Sequence, residues 1–478
     1  MDRAEIPFLS ATELASRIEA KQVSPVEAVE AYLDRIERID TKVNSYVTVC
    51  AGEARRDARQ AEEEIQRGEY RGPLHGVPVA VKDQIYTRGI RTTDGSKIRA
   101  GFIPDLDATV VANLKKAGAI LLGKLNMSEF ANGPPHSSAS GPARNPWDLE
   151  HSPGTSSTGS GAATAARLCA TSLGEDTGGS IRGPASYSGL VGLRPTWGRV
   201  SRYGVDGAGW SFDTIGPVSR TVEDCAVTIG AIAGYDPKDP YTHQVPVPDY
   251  RQALTGDIRG LRVGLVRDFL GTEELALDPR TREAVIAAVD VLRELGAEVK
   301  DVSLPLSAVC GVVIRAITHT ERVSLHPEWL RQRAQDYHPF TRVTFTTANL
   351  IPAQAYYKAQ KLRALVRQEV LEALEEVDVL VHPTTAGPAD LIDLQARVRG
   401  KDQAKRGLAA GGYRGLYSLT GAPALSIPCG FTSEGDGALP LALQIGGRPF
   451  DEATVLRVAH AYEQATPWHK RRPPIEGP

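Results

Sequence analysis

The spacing of polar and apolar residues predicts helices at the start of the chain. The segments SATE (residues 10–13) and SPVE (residues 24–27) each place a serine three positions before a glutamate, which is the spacing of a helix capping box. A further helix, rich in Ala, Glu and Arg, is expected over about 52–67. Residues 1–70 are therefore predicted to form a helical segment. After the second capping box, in the residues that follow SPVE, apolar side chains recur at helical spacing at Val29, Tyr32, Leu33 and Ile36.

After this segment, strand and helix patterns alternate. VPVAVKD (residues 77–83) predicts a short buried strand, and residues 108–126 read as helix, glycine and strand. This alternation, without a clear linker or repeat, predicts one α/β domain over 1–478. Within it, 235–345 follows a proline-rich join and is the most insertion-like part. Further strand patterns are LRVGLV, VDVLVHP, ALSIPCGF and PLALQIGG, and further helical patterns lie near 279–295, 353–376 and 451–464.

Composition narrows the class of protein. The 478 residues are 41% hydrophobic and 24% charged, and the net charge of −3 favours neither a nucleic-acid nor a membrane partner. The five cysteines are widely spaced without a Cys-x-x-Cys pair, which argues against disulfides and structural zinc and fits a reducing cytosol. No secretory signal is recognised, and no run approaches the ~20 apolar residues that span a bilayer. We expect a cytoplasmic protein, monomeric or homodimeric.

One glycine-rich segment carries candidate chemistry. GEDTGGSIRGPA (residues 174–185) places two glycines directly before Ser180 and a helix-like stretch after it. Backbone N–H groups of Thr177, Gly178 and Gly179 around such a serine form a nest that holds a developing oxyanion. A serine nucleophile needs a base, and the chain has neither the Gly-x-Ser-x-Gly elbow nor the Ser-x-x-Lys motif. Taken alone, the segment is better explained as a tight glycine turn that enters a helix.

Two other segments are ambiguous when taken singly. PGTSSTGSGAATAA (residues 153–166) is a Ser/Gly loop leading into a helix, but it lacks Gly-Lys-Ser/Thr and Gly-x-Gly-x-x-Gly, so a nucleotide site is disfavoured. Lys82 closes an apolar strand. A lysine there is either paired or used inside the protein, or it extends its charge to the surface.

Together, the three segments resemble the amidase signature family. DTGGSIRGPASYSGLVGLRPTWGRVS (residues 176–201) is very close to the family's diagnostic stretch, and GVPVAVKD, GKLNMSEFA and DTIGPVSRTVEDCA are similar to its other blocks in the same order. The resemblance covers nearly the whole chain. It implies a single α/β/α domain built on a large, twisted, mostly parallel but strongly mixed sheet, with helices on both faces.

The resemblance also implies a Ser–Ser–Lys triad that forms an acyl-enzyme. Ser180 matches the nucleophile, Ser156, 24 positions upstream, matches the bridging serine, and Lys82 matches the base. Residues 177–180 match the oxyanion-hole segment. A lysine base must be neutral, so burial in the apolar strand has to lower its pKa. No metal or organic cofactor is required.

One motif departs from the family. The family usually shows Gly-Gly-Ser-Ser-Gly-Gly with the bridging serine after a cis peptide bond, whereas residues 154–159 read GTSSTG. The resemblance would place a cis bond between Thr155 and Ser156, but the departure from the motif leaves open whether this bond is cis or trans here. Asp176 and Arg182, beside the nucleophile, are interpreted as residues that brace the turn, with a surface ion pair as the alternative.

The substrate is the least specified part. The segments NGPPH (residues 132–136) and GAGWSF (residues 207–212) suggest an apolar acyl pocket, although a tryptophan there is equally a core residue. An apolar pocket suits small amides, anilides, carbamates (urethanes) and aryl esters. The candidate pocket residues are Asn132, Gly133, Pro134, Trp210 and Phe212.

Two alternative functions stay open. One family branch is the A subunit of glutamyl-tRNA amidotransferase, which takes ammonia from glutamine. That branch normally has an acidic residue shortly before the segment matching LTGAPALSIP, and LAAGG (residues 408–412) has none, so we rank it second. A non-catalytic binding domain is disfavoured, since such versions lose the nucleophile and this chain keeps Ser180.

Overall fold

Short apolar runs become the strands of one large sheet. The computed structural model describes residues 2–272, 275–394, 401–433 and 437–476. Eleven strands in these ranges form one sheet in the order β1-β3-β2-β4-β6-β5-β10-β11-β9-β7-β8. They are β1 (Tyr46–Val49), β2 (Pro78–Lys82), β3 (Ile120–Leu125), β4 (Thr171–Asp176), β5 (Val191–Arg194), β6 (Thr214–Ser219), β7 (Arg262–Val266), β8 (Glu298–Val302), β9 (Val379–Pro383), β10 (Ala424–Phe431) and β11 (Pro440–Gly447).

The sheet is mixed, as predicted, but it is not mostly parallel. Strand β2 is parallel to both neighbours, β3 and β4, and β7 is parallel to β8 and β9. The remaining neighbouring pairs described, from β4 to β9 and between β1 and β3, are antiparallel. The expectation of a mostly parallel sheet is therefore wrong. Short connections, such as the one from β10 to β11, return the chain directly and produce antiparallel pairs.

Helices pack on both faces of this sheet. Successive strand residues point to opposite faces. A Cβ at Gly446 of β11 would meet Tyr417, whereas one at Gly447 would meet Val455, and these two residues lie on different helices. The helices are α1 (Ala11–Glu19), α2 (Pro25–Val43), α3 (Ala51–Gln66), α4 (Thr109–Lys116), α5 (Thr158–Ala165), α6 (Arg182–Ser188), α7 (Val222–Ile232), α8 (Pro279–Glu294), α9 (Cys310–Val323), α10 (Pro327–Gln332), α11 (Pro339–Ala348), α12 (Ala353–Glu376), α13 (Lys401–Thr420) and α14 (Glu452–Ala465). Among the described helices, none has the length and hydropathy of a bilayer span.

Local sequence signals account for the first helices. The side chains of Ser10 and Ser24 each accept a hydrogen bond from the backbone of the glutamate three residues on, and each glutamate returns one, so both capping boxes are confirmed. The stretch 235–345, described apart from residues 273–274, supplies β7 and β8 to the sheet and α9 to the cavity described below. The sequence patterns did not predict α9, α10 or α11.

A buried ion cluster joins the centre of the sheet to its helices. Asp176, the last residue of β4, receives hydrogen bonds from Arg182 of α6 at 3.1 Å to each oxygen and from Arg194 of β5 at 3.0 Å. All three side chains are fully buried. Arg182 also donates to Gln444 of β11 at 2.7 Å and to Ser418 of α13 at 3.0 Å. The cluster therefore links three strands and two helices.

The charges of this cluster compensate one another. Burial alone would raise the pKa of Asp176, but the two neighbouring guanidinium groups outweigh burial and hold that pKa well below its usual range. The lowered pKa favours the ionised carboxylate at neutral pH. The alternative of a surface ion pair is excluded for Asp176 and Arg182, because both side chains are inaccessible to solvent.

Replacing Arg182 with methionine leaves the buried Asp176 with one arginine fewer. Removing one partner of a buried ion pair costs about 3–5 kcal/mol. We expect R182M to lower the free energy of unfolding, measured by urea denaturation, by an amount near the lower end of that range, because Arg194 remains. The control R251M, which removes an exposed partner of Glu223, should change it little. Equal losses in the two variants would contradict the importance of the cluster.

Candidate active site

Two of the three candidate triad residues line one cavity. A cavity of about 400 Å³ lies over the turn between β4 and α6, and Ser156 and Ser180 both line it. Ser180 is partly exposed, whereas Ser156 is 2% exposed. No hydrogen bond between the two serine hydroxyls is formed in the described structure. Catalytic hydrogen bonds of unliganded sites are often loose in this way and tighten with substrate.

Lys82 contacts one of the two serines that line the cavity. It is the last residue of β2, it is fully buried, and its Nζ donates to Ser156 Oγ at 2.8 Å. The peptide bond between Thr155 and Ser156 is cis, which the family resemblance implied. The parallel neighbours β2 and β4 end on the same edge of the sheet, and this places the lysine beside the turn that carries Ser180.

A second acid, Glu175, contacts the lysine and was not singled out in the sequence. Lys82 Nζ donates to Glu175 Oε2 at 3.0 Å, and both side chains are fully buried. Burial lowers the pKa of Lys82, and the carboxylate of Glu175 opposes that shift without cancelling it. Glu175 stood in the quoted motif, but nothing in the motif indicated which of its two acids faces the lysine.

The same acid is linked to a third carboxylate through a hydroxyl. Thr177 Oγ1 lies 2.7 Å from Glu175 Oε1 and 2.8 Å from Asp213 Oδ1. A hydroxyl carries one hydrogen, so one of these two contacts requires a proton on the carboxylate. Burial, and then the charge of Glu175, raise the pKa of Asp213 to about 7. The geometry therefore implies one proton shared within this pair of acids.

Some backbone N–H groups of the turn around Ser180 are hydrogen-bonded to Asp176, and others are not. The N–H of Gly179 donates to Asp176 Oδ1 at 2.7 Å and that of Ile181 donates to Oδ2 at 3.2 Å. The Asp176 carboxylate therefore fixes the backbone on both sides of the serine. The N–H groups of Gly178 and Ser180 have no hydrogen-bond partner among the described residues. The expected oxyanion segment thus loses Gly179, because its N–H is already engaged.

The structure separates the candidate pocket residues. Asn132, Gly133 and Pro134 line the cavity at Ser180, but Trp210 and Phe212 do not. The Trp210 ring is 57% exposed and packs edge-on against Tyr241, with 4.8 Å between ring centroids.

Phe212 is fully buried in the hydrophobic core, and the guanidinium carbon of Arg363 lies 4.4 Å from the centre of its ring. The prediction that these two aromatic side chains wall an apolar acyl pocket is corrected here. The Trp210 ring packs against another ring at the surface, and the Phe212 ring packs in the core.

Three arginines and a histidine also line the cavity. Arg315, His319 and Arg322 on α9 and Arg414 on α13 line the cavity. The residues at 315, 319 and 322 share one helical face, because positions three or four apart lie above one another. Burial and the two neighbouring arginines lower the pKa of His319 to about 3, so its imidazole is neutral at physiological pH. This wall was missed because α9 itself was not predicted.

Comparisons with known proteins agree with this geometry. The family model named Amidase matches residues 27–456. The chain is 42% identical over 493 residues to the A subunit of the glutamyl-tRNA(Gln) amidotransferase of Geobacter metallireducens, covering 98% of this chain and 99% of that protein.

Solved structures are equally similar. One, described as an unexpected vestigial protein complex that reveals the evolutionary origins of an s-triazine catabolic enzyme, has a TM-score of 0.88 and 34% identity, covering 95% of this chain and 98% of that one. The native peptide amidase of Stenotrophomonas maltophilia has a TM-score of 0.83 and 32% identity, covering 97% and 98%. Since the family model spans most of the chain and its relatives align over nearly all of it, this chain belongs to the amidase signature family and is a hydrolase of C–N bonds.

Proposed function

We propose that this chain hydrolyses a small amide through an acyl-enzyme on Ser180, with Ser156 as proton relay and Lys82 as base. The observation that carries the proposal is the 2.8 Å contact between Lys82 Nζ and Ser156 Oγ at the edge of the cavity that Ser180 lines. A nucleophile, a base within hydrogen-bond reach and a third group that orients the base are the general requirements of nucleophilic catalysis.

The proton path follows from these contacts. Neutral Lys82 accepts the proton of Ser156 while Ser156 accepts that of Ser180, and Ser180 Oγ bonds to the carbonyl carbon. The charge that develops on the carbonyl oxygen faces the N–H groups of Gly178 and Ser180. The proton on Lys82 returns through Ser156 to the leaving nitrogen as the C–N bond breaks. A water molecule then adds by the same relay, releases the carboxylic acid and restores Ser180.

Glu175 acts in this proposal as the positioning residue behind the base. Its carboxylate lies 3.0 Å from Lys82 Nζ and so fixes the direction in which the amine points toward Ser156. Burial alone would push the pKa of Lys82 further down, and Glu175 limits that fall. Because Thr177 and Asp213 hold a proton beside Glu175, the negative charge that Lys82 experiences also depends on that acid pair.

A fluorophosphonate probe tests the nucleophile. We expect one covalent adduct per chain by intact-mass measurement, and no adduct in Ser180→Ala, together with a loss of amide hydrolysis of at least about 10⁴-fold. Ser324→Ala, which changes an exposed serine at the end of α9, is the control that should label and hydrolyse normally. An adduct that persists in Ser180→Ala would refute the assignment.

The pH profile tests Glu175. Lys82 is a base only when deprotonated, so the acidic limb of kcat/KM follows its pKa. The carboxylate raises that pKa relative to burial alone, and Glu175→Gln removes the charge at nearly constant size. We expect the acidic limb to move to lower pH.

A fixed limb in Glu175→Gln would mean that Glu175 does not act on the base. The matched control is Glu64→Gln, which removes a carboxylate that contacts Arg71 and His75. That variant should leave the limb where it is in the wild type.

A second candidate function is the glutamine-hydrolysing A subunit of a tRNA amidotransferase. The curated relatives that carry this name, at 42% identity over almost the whole chain, favour it over a stand-alone amidase. By their names these relatives work within a larger assembly, and one similar solved structure is a protein complex. Under this candidate the chain works in a complex with a different protein chain, and it is neither the monomer nor the homodimer that we expected. The candidate shares the triad chemistry and differs in the substrate.

The lining of the cavity weighs against glutamine. No carboxylate is present among the described lining residues to receive the α-ammonium group, and arginines face it instead. Trp210 and Phe212 do not line the cavity, but Ile314 and Phe340 do, so anilides, carbamates and aryl esters stay among the candidate substrates.

A hydrolysis panel separates the candidates. Glutamine, aliphatic amides, anilides, dipeptide amides and carbamates are compared by kcat/KM for the purified chain. If the amidotransferase candidate is correct, glutamine is the best substrate of the panel. Our first candidate predicts that glutamine is poor, because its ammonium group enters a cavity of positive charge.

A further inference from the structure

The cavity at Ser180 has an unbalanced charge. Its described lining includes three arginines, Arg315, Arg322 and Arg414, and no aspartate or glutamate. Arg414 has neighbours of its own, since its charge lowers the pKa of Tyr187 and of Asp390 against the effect of burial. The two arginines of α9 are thus the cations available to a ligand.

Arg322 is the more informative of the two. It is 5% exposed, and its guanidinium donates to the backbone oxygen of Ala208 at 2.6 Å and to Asn132 Oδ1 at 2.9 Å. Both acceptors are uncharged, and no ion pair of Arg322 is formed in the described part of the chain. A buried arginine is normally paired with an acid. Burial accordingly lowers the pKa of Arg322. The negative charges of Asp213 and Glu175, which lie beyond contact distance, oppose this shift without cancelling it.

The neighbouring amide also lacks a partner. Asn132 Nδ2 is buried and has no hydrogen-bond acceptor among the described residues, while its Oδ1 is held by Arg322. An amide donor and a guanidinium without a counter-charge in this part of the chain therefore stand together on the cavity wall. The two groups match the acceptor oxygens of a carboxylate.

Arg315 extends this surface toward solvent. It lies two helical turns from Arg322 on the same face of α9, about 10 Å along the axis, and it is exposed. The hydrogen bond from Arg322 to Ala208 also connects Arg322, through neighbouring residues, to the turn that carries Ser180. The N–H of Gly209, the next residue, donates to Asp213, and Asp213 accepts from Thr177, three residues before Ser180.

We propose that this cavity recognises a carboxylate on the substrate through Arg322 and Asn132, with Arg315 attracting it at the entrance. The substrate class is a short amide whose acyl part ends in a carboxylate and carries no ammonium group, such as the monoamide of a three- to five-carbon dicarboxylic acid. The inference rests on the proposed amide hydrolysis at Ser180 and adds the group that the site selects.

Matched substrates test the inference. Glutaramate and glutaramide differ only in a carboxylate replaced by a neutral amide of the same shape, and glutamine is glutaramate with an added α-ammonium. Succinamate with succinamide, and malonamate with malonamide, vary the length. We expect at least one acid to exceed its neutral partner in kcat/KM by about 100-fold or more, as a desolvated charge pair requires, and glutaramate to exceed glutamine.

Variants assign the effect to the arginines. Arg322→Met should reduce kcat/KM for the preferred acid by about 100-fold and bring the ratio of kcat/KM for the acid to that for its neutral diamide close to one. If that buried substitution prevents folding, Arg315→Met, at an exposed position, should raise KM for the acid without changing kcat. Arg331→Met, which removes an exposed charge paired with Glu328, is the control that should change neither.

The outcomes separate the inference from the function on which it rests. The fluorophosphonate probe is uncharged at the reacting group, so Ser180 should label in wild type and in both arginine variants. Equal rates for acids and diamides with normal labelling would overturn the carboxylate inference and leave the hydrolase intact. Preference for glutamine over glutaramate would overturn it as well. Absence of labelling would overturn the hydrolase proposal itself.

Discussion

The burial of Asp176 between Arg182 and Arg194 is the constraint on which the centre of this molecule depends. A carboxylate inside a protein is tolerated when cations and N–H groups surround it, and here both are supplied. The two backbone donors are those that flank Ser180, so satisfying the charge also fixes the turn that carries this serine. Arg182 extends the constraint to β11 and α13, which lie far away in the sequence. The position of the candidate nucleophile therefore follows from a requirement of folding.

Strand β4 separates two charges that are adjacent in sequence. Successive strand residues point to opposite faces, so Glu175 and Asp176 meet different surroundings. Asp176 faces two arginines, which compensate its charge. Glu175 faces Lys82, and the hydroxyl of Thr177 lies between Glu175 and Asp213. One strand end thus carries both a carboxylate that stabilises the turn and a carboxylate that contacts Lys82.

Signals within a few residues could be predicted, and contacts across the chain could not. The capping boxes at Ser10 and Ser24 are local, and so are the apolar runs that became strands. The grouping of Lys82, Ser156 and Ser180 was expected only from a family resemblance. The contact of Arg322 with Asn132 joins positions 190 apart, on a helix whose pattern was not recognised. Trp210 and Phe212 failed as pocket residues because aromatic character alone does not tell whether a ring faces a ligand, the core or another ring.

The two sides of the cavity are electrostatically connected. Arg322, which has no ionic partner of its own among the described residues, attracts the negative charge of Asp213 and Glu175, and those acids in turn influence Lys82. A substrate carboxylate bound at Arg322 offsets the positive charge that the acid pair experiences. The pair then holds its proton more tightly, because the stabilisation of its negative charge is weaker. Substrate charge and the protonation of the acids beside the base are therefore linked, and the link works in both directions, since each changes the affinity for the other by the same free energy.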